Sequence, residues 1–358
     1  MHTKLPYKLF SFFFIGMVLI FLIYHTTIWY FMTSKIFVSP PNYVGDLGRT
    51  SYAIDSLSPR LQNNTLAHKH FDGNNWKNEP IDLLTLGDSF SNGGGGGKNP
   101  YYQDYLATRL NINILNIQNI DTNFSYIDTI HFLHERKWLN KLKPKAILIQ
   151  VVVRESLRDV PTKKTKLDLQ DISIKNILKS NQTAHFPQPL WINTANYKAP
   201  YYYIRYYYSV RAKKEVYRLP LITNFFTAKD QNHLLVYHDD VKNISKFNES
   251  SIHHLNAELN VLAEELQREK ITLIFMPVVD KYDLYYDYLF NRGQFPENPF
   301  FSLLRKEPKK YIFIDTKVIL ESMLKNDTND LYYPDDTHWS YKASEKIATD
   351  PSFTFLRK

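Results

Sequence analysis

The chain has 358 residues, enough for one large α/β domain with a further segment attached. It contains no cysteine, which excludes disulfides, thiolate metal sites and a cysteine nucleophile. A net charge of +8 over 44 basic and 36 acidic residues gives no ground for nucleic-acid binding; it suits anionic lipid, acidic polysaccharide or simply a solvated surface.

The first element in chain order is apolar. Leu9 to Met32 reads LFSFFFIGMVLIFLIYHTTIWYFM, without an acid, Lys or Arg. A helix needs about 20 such residues to cross the hydrocarbon core, and Leu9–Ile28 alone supplies them. Tyr7, Trp29 and Tyr30 sit where interfacial aromatics belong. A cleaved signal peptide has a shorter apolar core and an A-x-A-like site, which is lacking here. Residues 1–35 are therefore predicted to be an uncleaved anchor. Lys4 and Lys8 before it and Lys35 and Arg49 after it barely orient it; the N-terminus is expected inside, with the rest outside the cytoplasm.

Residues 36–80 read as a polar, Asn-rich connector punctuated by Pro40, Pro41 and Pro59. A new pattern begins at residue 81 and runs to 358. Strand-length apolar runs occur at Ile81–Leu86, Ile112–Ile117, Ala146–Val153, Ile271–Met276 and Tyr311–Ile314. Between them lie helical patterns, Asn123–Leu142 and Ser251–Lys270, the latter with Leu255, Leu259, Leu262 and Leu266 on one face. Alternation of this kind predicts an α/β fold: a three-layer α/β/α sandwich with a parallel, flavodoxin-like sheet. Ligands of such sheets bind beyond the carboxyl ends of the strands. An insertion at about 155–247 breaks the alternation and contains the cluster YYYIRYYY, Tyr201–Tyr208. Those rings suit either a platform for sugar faces or, more plainly, the core of the insertion.

Two strings carry chemistry. The first strand runs directly into Gly87-Asp88-Ser89. A serine hydroxyl needs an adjacent base and backbone donors to act as a nucleophile, and a turn after a buried strand can supply both. At the other end stands Tyr333-Pro334-Asp335-Asp336-Thr337-His338-Trp339. A histidine base needs a carboxylate to hold its tautomer, and two precede His338 within one turn. Five consecutive glycines, Gly93–Gly97, follow the serine without the Lys-Ser/Thr of a phosphate loop; they read as a mobile rim to the pocket. Neither His131 with His134 nor His238 with Asp239 and Asp240 offers a convincing third ligand; both read as structural or surface residues, and no metal is expected there.

Together the two strings resemble the SGNH (GDSL-type) hydrolase superfamily, whose first block places the serine after Gly-Asp and whose last block supplies Asp and His. The D-T-H-W form is most similar to the alginate O-acetyltransferase-like group, as is Met276-Pro277-Val278-Val279-Asp280-Lys281-Tyr282 after a core strand. The resemblance covers roughly residues 80–155 and 270–350. It implies a triad of Ser89, His338 and Asp336, with Asp335 as the alternative carboxylate set by the general superfamily spacing. The superfamily's Gly and Asn donors are replaced here by Asn116-Ile117-Gln118-Asn119 and Val153-Arg154-Glu155-Ser156. Asp88, Asn119 and Arg154 are accordingly the oxyanion and substrate candidates.

The activity implied is acyl transfer or ester hydrolysis on O-acyl groups, most simply acetyl, of a cell-surface polysaccharide. The implied setting is a bacterial inner membrane, spanned once, with the catalytic domain in the periplasm or outside the cell. No cofactor is expected; a membrane protein would supply the acyl donor. The alternatives are a lipid or small-ester hydrolase, and a non-catalytic scaffold that binds polysaccharide or a partner.

Overall fold

The computed structural model describes residues 4–38, 43–60, 62, 64–121, 123–163, 178, 190–213 and 215–357. It opens with the apolar helix α1 (Lys4–Ile28), which continues through a π-helical segment, Trp29–Thr33, and a last turn, Ser34–Ile36. Tyr7–Ile36 thus forms a 30-residue rod, long and apolar enough to cross a membrane. Its side chains stand exposed as far as Phe21, apart from the half-buried Gly16; beyond that point His25, Met32, Thr33 and Ile36 turn inward and are buried.

Next come α2 (Asp46–Ser51), β1 (Leu83–Gly87), α3 (Tyr102–Leu110), β2 (Ile114–Ile117), α4 (Tyr126–Glu135) and β3 (Ala146–Val152). They are followed by α5 (Ala195–Tyr208), β4 (Val216–Pro220), β5 (His233–Tyr237) and α6 (Glu249–Arg268). The chain closes with β6 (Thr272–Val278), β7 (Ile312–Phe313), α7 (Thr316–Leu324) and α8 (Tyr341–Ile347).

Five strands pair in parallel in the order β2-β1-β3-β6-β7. They are the five apolar runs expected from the sequence, with ends moved by no more than two residues. Every residue of β1, β2 and β3 is buried, so both faces of these strands are covered, as unbroken Leu/Ile/Val runs require. The order of growth reverses between β1 and β3, the topological position at which sheets of this kind hold ligands, beyond the strands' carboxyl ends. Ser89 follows β1 and Arg154 follows β3, which puts both at that end. Pro277 is tolerated inside β6 because β7 pairs only with Ile274 and Phe275. Beyond them the Thr316 hydroxyl takes over, donating to the Pro277 carbonyl at 2.6 Å.

Two helical patterns differ in detail from expectation. Asn123–Leu142 is broken: a capping box of Ser125 and Asp128 starts α4, and Lys137 at φ 57° ends the run before a short helix at Trp138–Leu142. The second, α6, starts at Glu249 because Asn248 caps it, and it buries the four expected leucines.

The connector is partly structured. It contains α2, and Phe71 adds a bridge to β2, donating to Ile114 O at 2.7 Å and accepting from Asn116 N at 2.8 Å. The insertion holds α5 and the antiparallel pair β4–β5; residues 164–177 and 179–189 of it lie outside the described residues. Of the tyrosine cluster, Tyr206 is buried, donates to Asp230 and accepts from the Ser56 hydroxyl, while Tyr201 and Tyr208 are exposed.

Candidate active site

The turn after β1 is built to display Ser89. A side chain at Gly87 would collide with Ser91 and Gln150, so only glycine fits where the strand turns. Asp88 braces the turn: its carboxylate accepts from Phe90 N at 2.9 Å, Gln150 Nε2 at 2.8 Å and Val152 N at 2.5 Å. Gln150 in turn accepts from the Ser91 N–H and hydroxyl at 3.0 and 2.6 Å. Asp88 is thus occupied tying β1 to β3. Ser89, on the outside of this brace, is exposed. Its carbonyl accepts from the Asn92 and Gly94 N–H groups, while its own N–H makes no hydrogen bond among the described residues.

His338 lies across from it. Its Nε2 is 2.6 Å from Ser89 Oγ, and its Nδ1 is 2.6 Å from Asp336 Oδ1. The same carboxylate oxygen accepts the His338 backbone N–H at 3.0 Å. The Phe90 ring packs on the imidazole, centroids 4.6 Å apart, leaving His338 only 8% exposed. Of the two carboxylates open on the sequence, Asp336 is the one on the histidine. Asp335 points elsewhere, accepting from Gly45 N at 2.9 Å and Arg60 Nη1 at 2.8 Å.

Four residues not singled out from the sequence complete the arrangement. Asp46, at the start of α2, accepts from Thr337 N at 2.8 Å and Thr337 Oγ1 at 2.5 Å. Arg60 reaches Asp335 at 2.8 Å and Asp336 at 3.2 Å, with its guanidinium over the Tyr333 ring. Lys281 is fully buried and donates to the carbonyls of Tyr333, Pro334 and Asp336 at 2.8, 2.9 and 3.2 Å. Gly94 lies so close to the histidine that a methyl group there would overlap the imidazole Nε2. The glycine run is therefore a packed turn against the base, with Gly93, Gly96 and Gly97 at positive φ, and not a loose rim. The signal for Lys281 was present in the Pro-x-x-Asp-Lys-Tyr string; Asp46 and Arg60 lay in what read as a linker.

The remaining candidates are placed less directly. Asn119 gives one amide hydrogen to Phe124 O at 2.8 Å and accepts from Thr129, which holds it in its own loop; it makes no hydrogen bond to Ser89 or His338 among the described residues. Arg154 is held by Asp240 at 2.8 Å and Asp280 at 3.2 Å, and its charge is felt at His338 and Asp46.

The electrostatics follow from burial and three close charges. Burial alone would push the His338 imidazolium down, but Asp336, its hydrogen bond and Asp46 raise the net value. Burial and the charge of Asp46 raise Asp336, against the pull of His338. Asp46 shows the reverse balance: burial is outweighed by His338 and the Thr337 hydrogen bonds, and its carboxyl lies below the ordinary value. Lys281 is pushed down to about 8 by burial, though the surrounding Asp335, Asp336 and Asp46 resist this. Asp46, Asp336 and His338 bring potential metal-ligand atoms within 4.8 Å of one another. Both His338 nitrogens are already engaged with Asp336 and Ser89, which suits proton transfer better than metal binding.

The hydroxyl, imidazole and carboxylate thus form one hydrogen-bonded chain at the ligand-binding end of a parallel sheet. No protein-family model matches this sequence, and no curated protein matches it as a relative.

Proposed function

We propose that this protein is a serine acyltransferase or esterase of the SGNH type, acting on O-acyl groups of a cell-surface polysaccharide. One observation carries the reading: the 2.6 Å contacts that link Ser89 Oγ to His338 Nε2 and His338 Nδ1 to Asp336. In this mechanism His338 takes the Ser89 proton as Oγ attacks the acyl carbonyl. The negative charge on the tetrahedral oxygen is met by the free Ser89 N–H. Collapse breaks the ester C–O bond, His338 returns its proton to the departing alcohol, and Ser89 keeps the acyl group. His338 then deprotonates water, giving an esterase, or a sugar hydroxyl, giving a transferase; as that oxygen bonds to the acyl carbon the bond to Ser89 Oγ breaks, and His338 returns the proton to Oγ.

The wider reading is a three-layer α/β/α domain of flavodoxin type over 81–358, mounted on a single-pass anchor at 1–35 in a bacterial inner membrane and facing the periplasm or the outside. The acyl donor then comes from a membrane partner. A second reading, a hydrolase of lipid or small esters, is favoured by the exposed aromatic residues beside the apolar helix.

The test is nitrophenol release from p-nitrophenyl acetate by the full chain in detergent. A burst with the wild type, lost in Ser89→Ala and His338→Ala, supports the acyl-enzyme. Asp336→Asn should lower the acylation rate by about 10³–10⁴-fold and Asp335→Asn far less. Wild type and Ser89→Ala equally inert toward short and long acyl esters would remove the catalytic reading.

A further inference from the structure

The apolar helix does not leave the globular part on a free tether. His25, fully buried, is flanked by Asn196 Nδ2 at 2.8 Å and the Tyr197 hydroxyl at 3.0 Å. Tyr24 donates to Asn196 O at 3.0 Å, Thr33 to Asn196 Oδ1 at 2.7 Å, and Trp191 Nε1 to Thr26 at 3.2 Å. Met32 and Ile36 are buried against Tyr52 and Ala199. The insertion therefore clasps the helix from His25 onward.

Length makes this informative. Tyr7–Tyr24, the part ahead of the buried His25, rises only about 27 Å at about 1.5 Å per residue. The hydrocarbon core is about 30 Å thick. A helix that spans it must use the clasped turns as well, so the clasping residues come down to the level of the lipid boundary.

The outer face of α5 fits that level. Tyr197, Tyr201, Ile204 and Tyr208 fall at spacings of four, three and four, on one stripe, and are 58%, 57%, 59% and 87% exposed. A surface helix in water turns its polar face outward; this one buries Asn196 and turns aromatic rings out. Leu190, 81% exposed, and Trp191, 42% exposed, extend the patch on the side of the apolar helix. Tyrosine and tryptophan with an apolar body and a polar tip are the residues of the headgroup boundary.

We propose that α5 and residues 190–192 rest in the headgroup layer of the lipid bilayer, seating the domain on the membrane at one fixed orientation. The inference rests on reading Tyr7–Ile36 as a span. From α5 the contacts run inward: Tyr202 stacks on Tyr52 with centroids 5.4 Å apart, Tyr52 ends α2, and α2 presents Asp46 to Thr337. The triad is thereby mounted, through α2, on the membrane-facing helix.

The chain has no cysteine, so single introduced thiols can be spin-labelled uniquely in the full-length protein. Tyr201→Cys and Tyr208→Cys would be compared with Phe13→Cys in the apolar helix and Val261→Cys on the exposed side of α6. The protein is placed in vesicles of phosphatidylethanolamine and phosphatidylglycerol, and accessibility to oxygen is measured against a water-soluble nickel chelate. The expected result is a graded depth: Phe13 deep, Tyr201 and Tyr208 shallow but several-fold richer in oxygen relative to nickel than Val261. Tyr201 and Tyr208 matching Val261 while Phe13 is deep would overturn the seating and leave the span. Phe13 matching Val261 would overturn the span and the seating together. Exclusion of both reagents at Tyr201 would mean burial against a second copy of the chain, and would also overturn it.

Discussion

At the scale of single residues, the proposed base, His338, is set by its charged neighbours. The His338 imidazolium is held above its ordinary value near 6.5 by Asp336 and Asp46, against burial, so the neutral, proton-accepting form is lost at a higher pH than in a free histidine. Removing one of those charges should reverse part of the effect. In Asp46→Asn the acid limb of kcat/KM is expected to move to lower pH, whereas a purely structural role for Asp46 would lower the plateau without moving the limb. The stability contributions of the two groups depend on pH in opposite directions. Asp46, held low, contributes above the ordinary carboxylate range and loses that contribution as pH falls. His338, held high, contributes below its ordinary value and loses that contribution as pH rises through the raised one. Gly94 offers a steric counterpart. Gly94→Ala should displace the imidazole and cost about a hundredfold in kcat, with little change in thermal midpoint. An unchanged kcat would mean that the turn yields instead of the ring.

At the scale of elements, what the sequence made legible was whatever it expressed locally. The strands β1, β2, β3, β6 and β7 are continuous apolar runs, and the face of α6 is a leucine stripe; both are patterns within a few residues. Ser89 and His338 were legible because each stands in a short string at a strand end or before a helix. Arg60 was not, because its meaning lies in partners 275 and 276 residues away. The same holds for Asp46, whose partner Thr337 is 291 residues away, and for the helix α2 that carries it through a segment that reads as a linker. Asn119 shows the converse: its local turn with Phe124 and Thr129, which the sequence did not express, engages the amide. The connector is consequently part of the site. The Arg60 side chain is 4% exposed and neutralises two fully buried carboxylates, so Arg60→Met should destabilise the fold by about 3–5 kcal/mol in urea titration. Arg60→Lys should recover only part of this, because a single ammonium cannot fork across Asp335 and Asp336.

At the scale of the whole molecule, the apolar helix and the α/β domain share a small core. Met32 and Ile36 bury their side chains against Tyr52 and Ala199. A chain beginning at residue 43 loses those contacts and the His25 clasp, and should melt roughly 5–10 °C below the full-length protein in the same detergent. Equal midpoints would mean that the helix is merely attached and not integral to the fold.

The clasp around His25 also changes the dimension in which encounters are counted. A head on a long, loose leash sweeps a volume and meets substrate in proportion to its bulk concentration. A head bolted to its mast sweeps a plane, at one altitude, and meets only what is carried within reach of that plane. With the acyl chemistry and the seating proposed above, the rate on a bilayer-held substrate would follow the number of acyl groups per unit area, and diluting the surrounding solution at constant surface density would leave it unchanged.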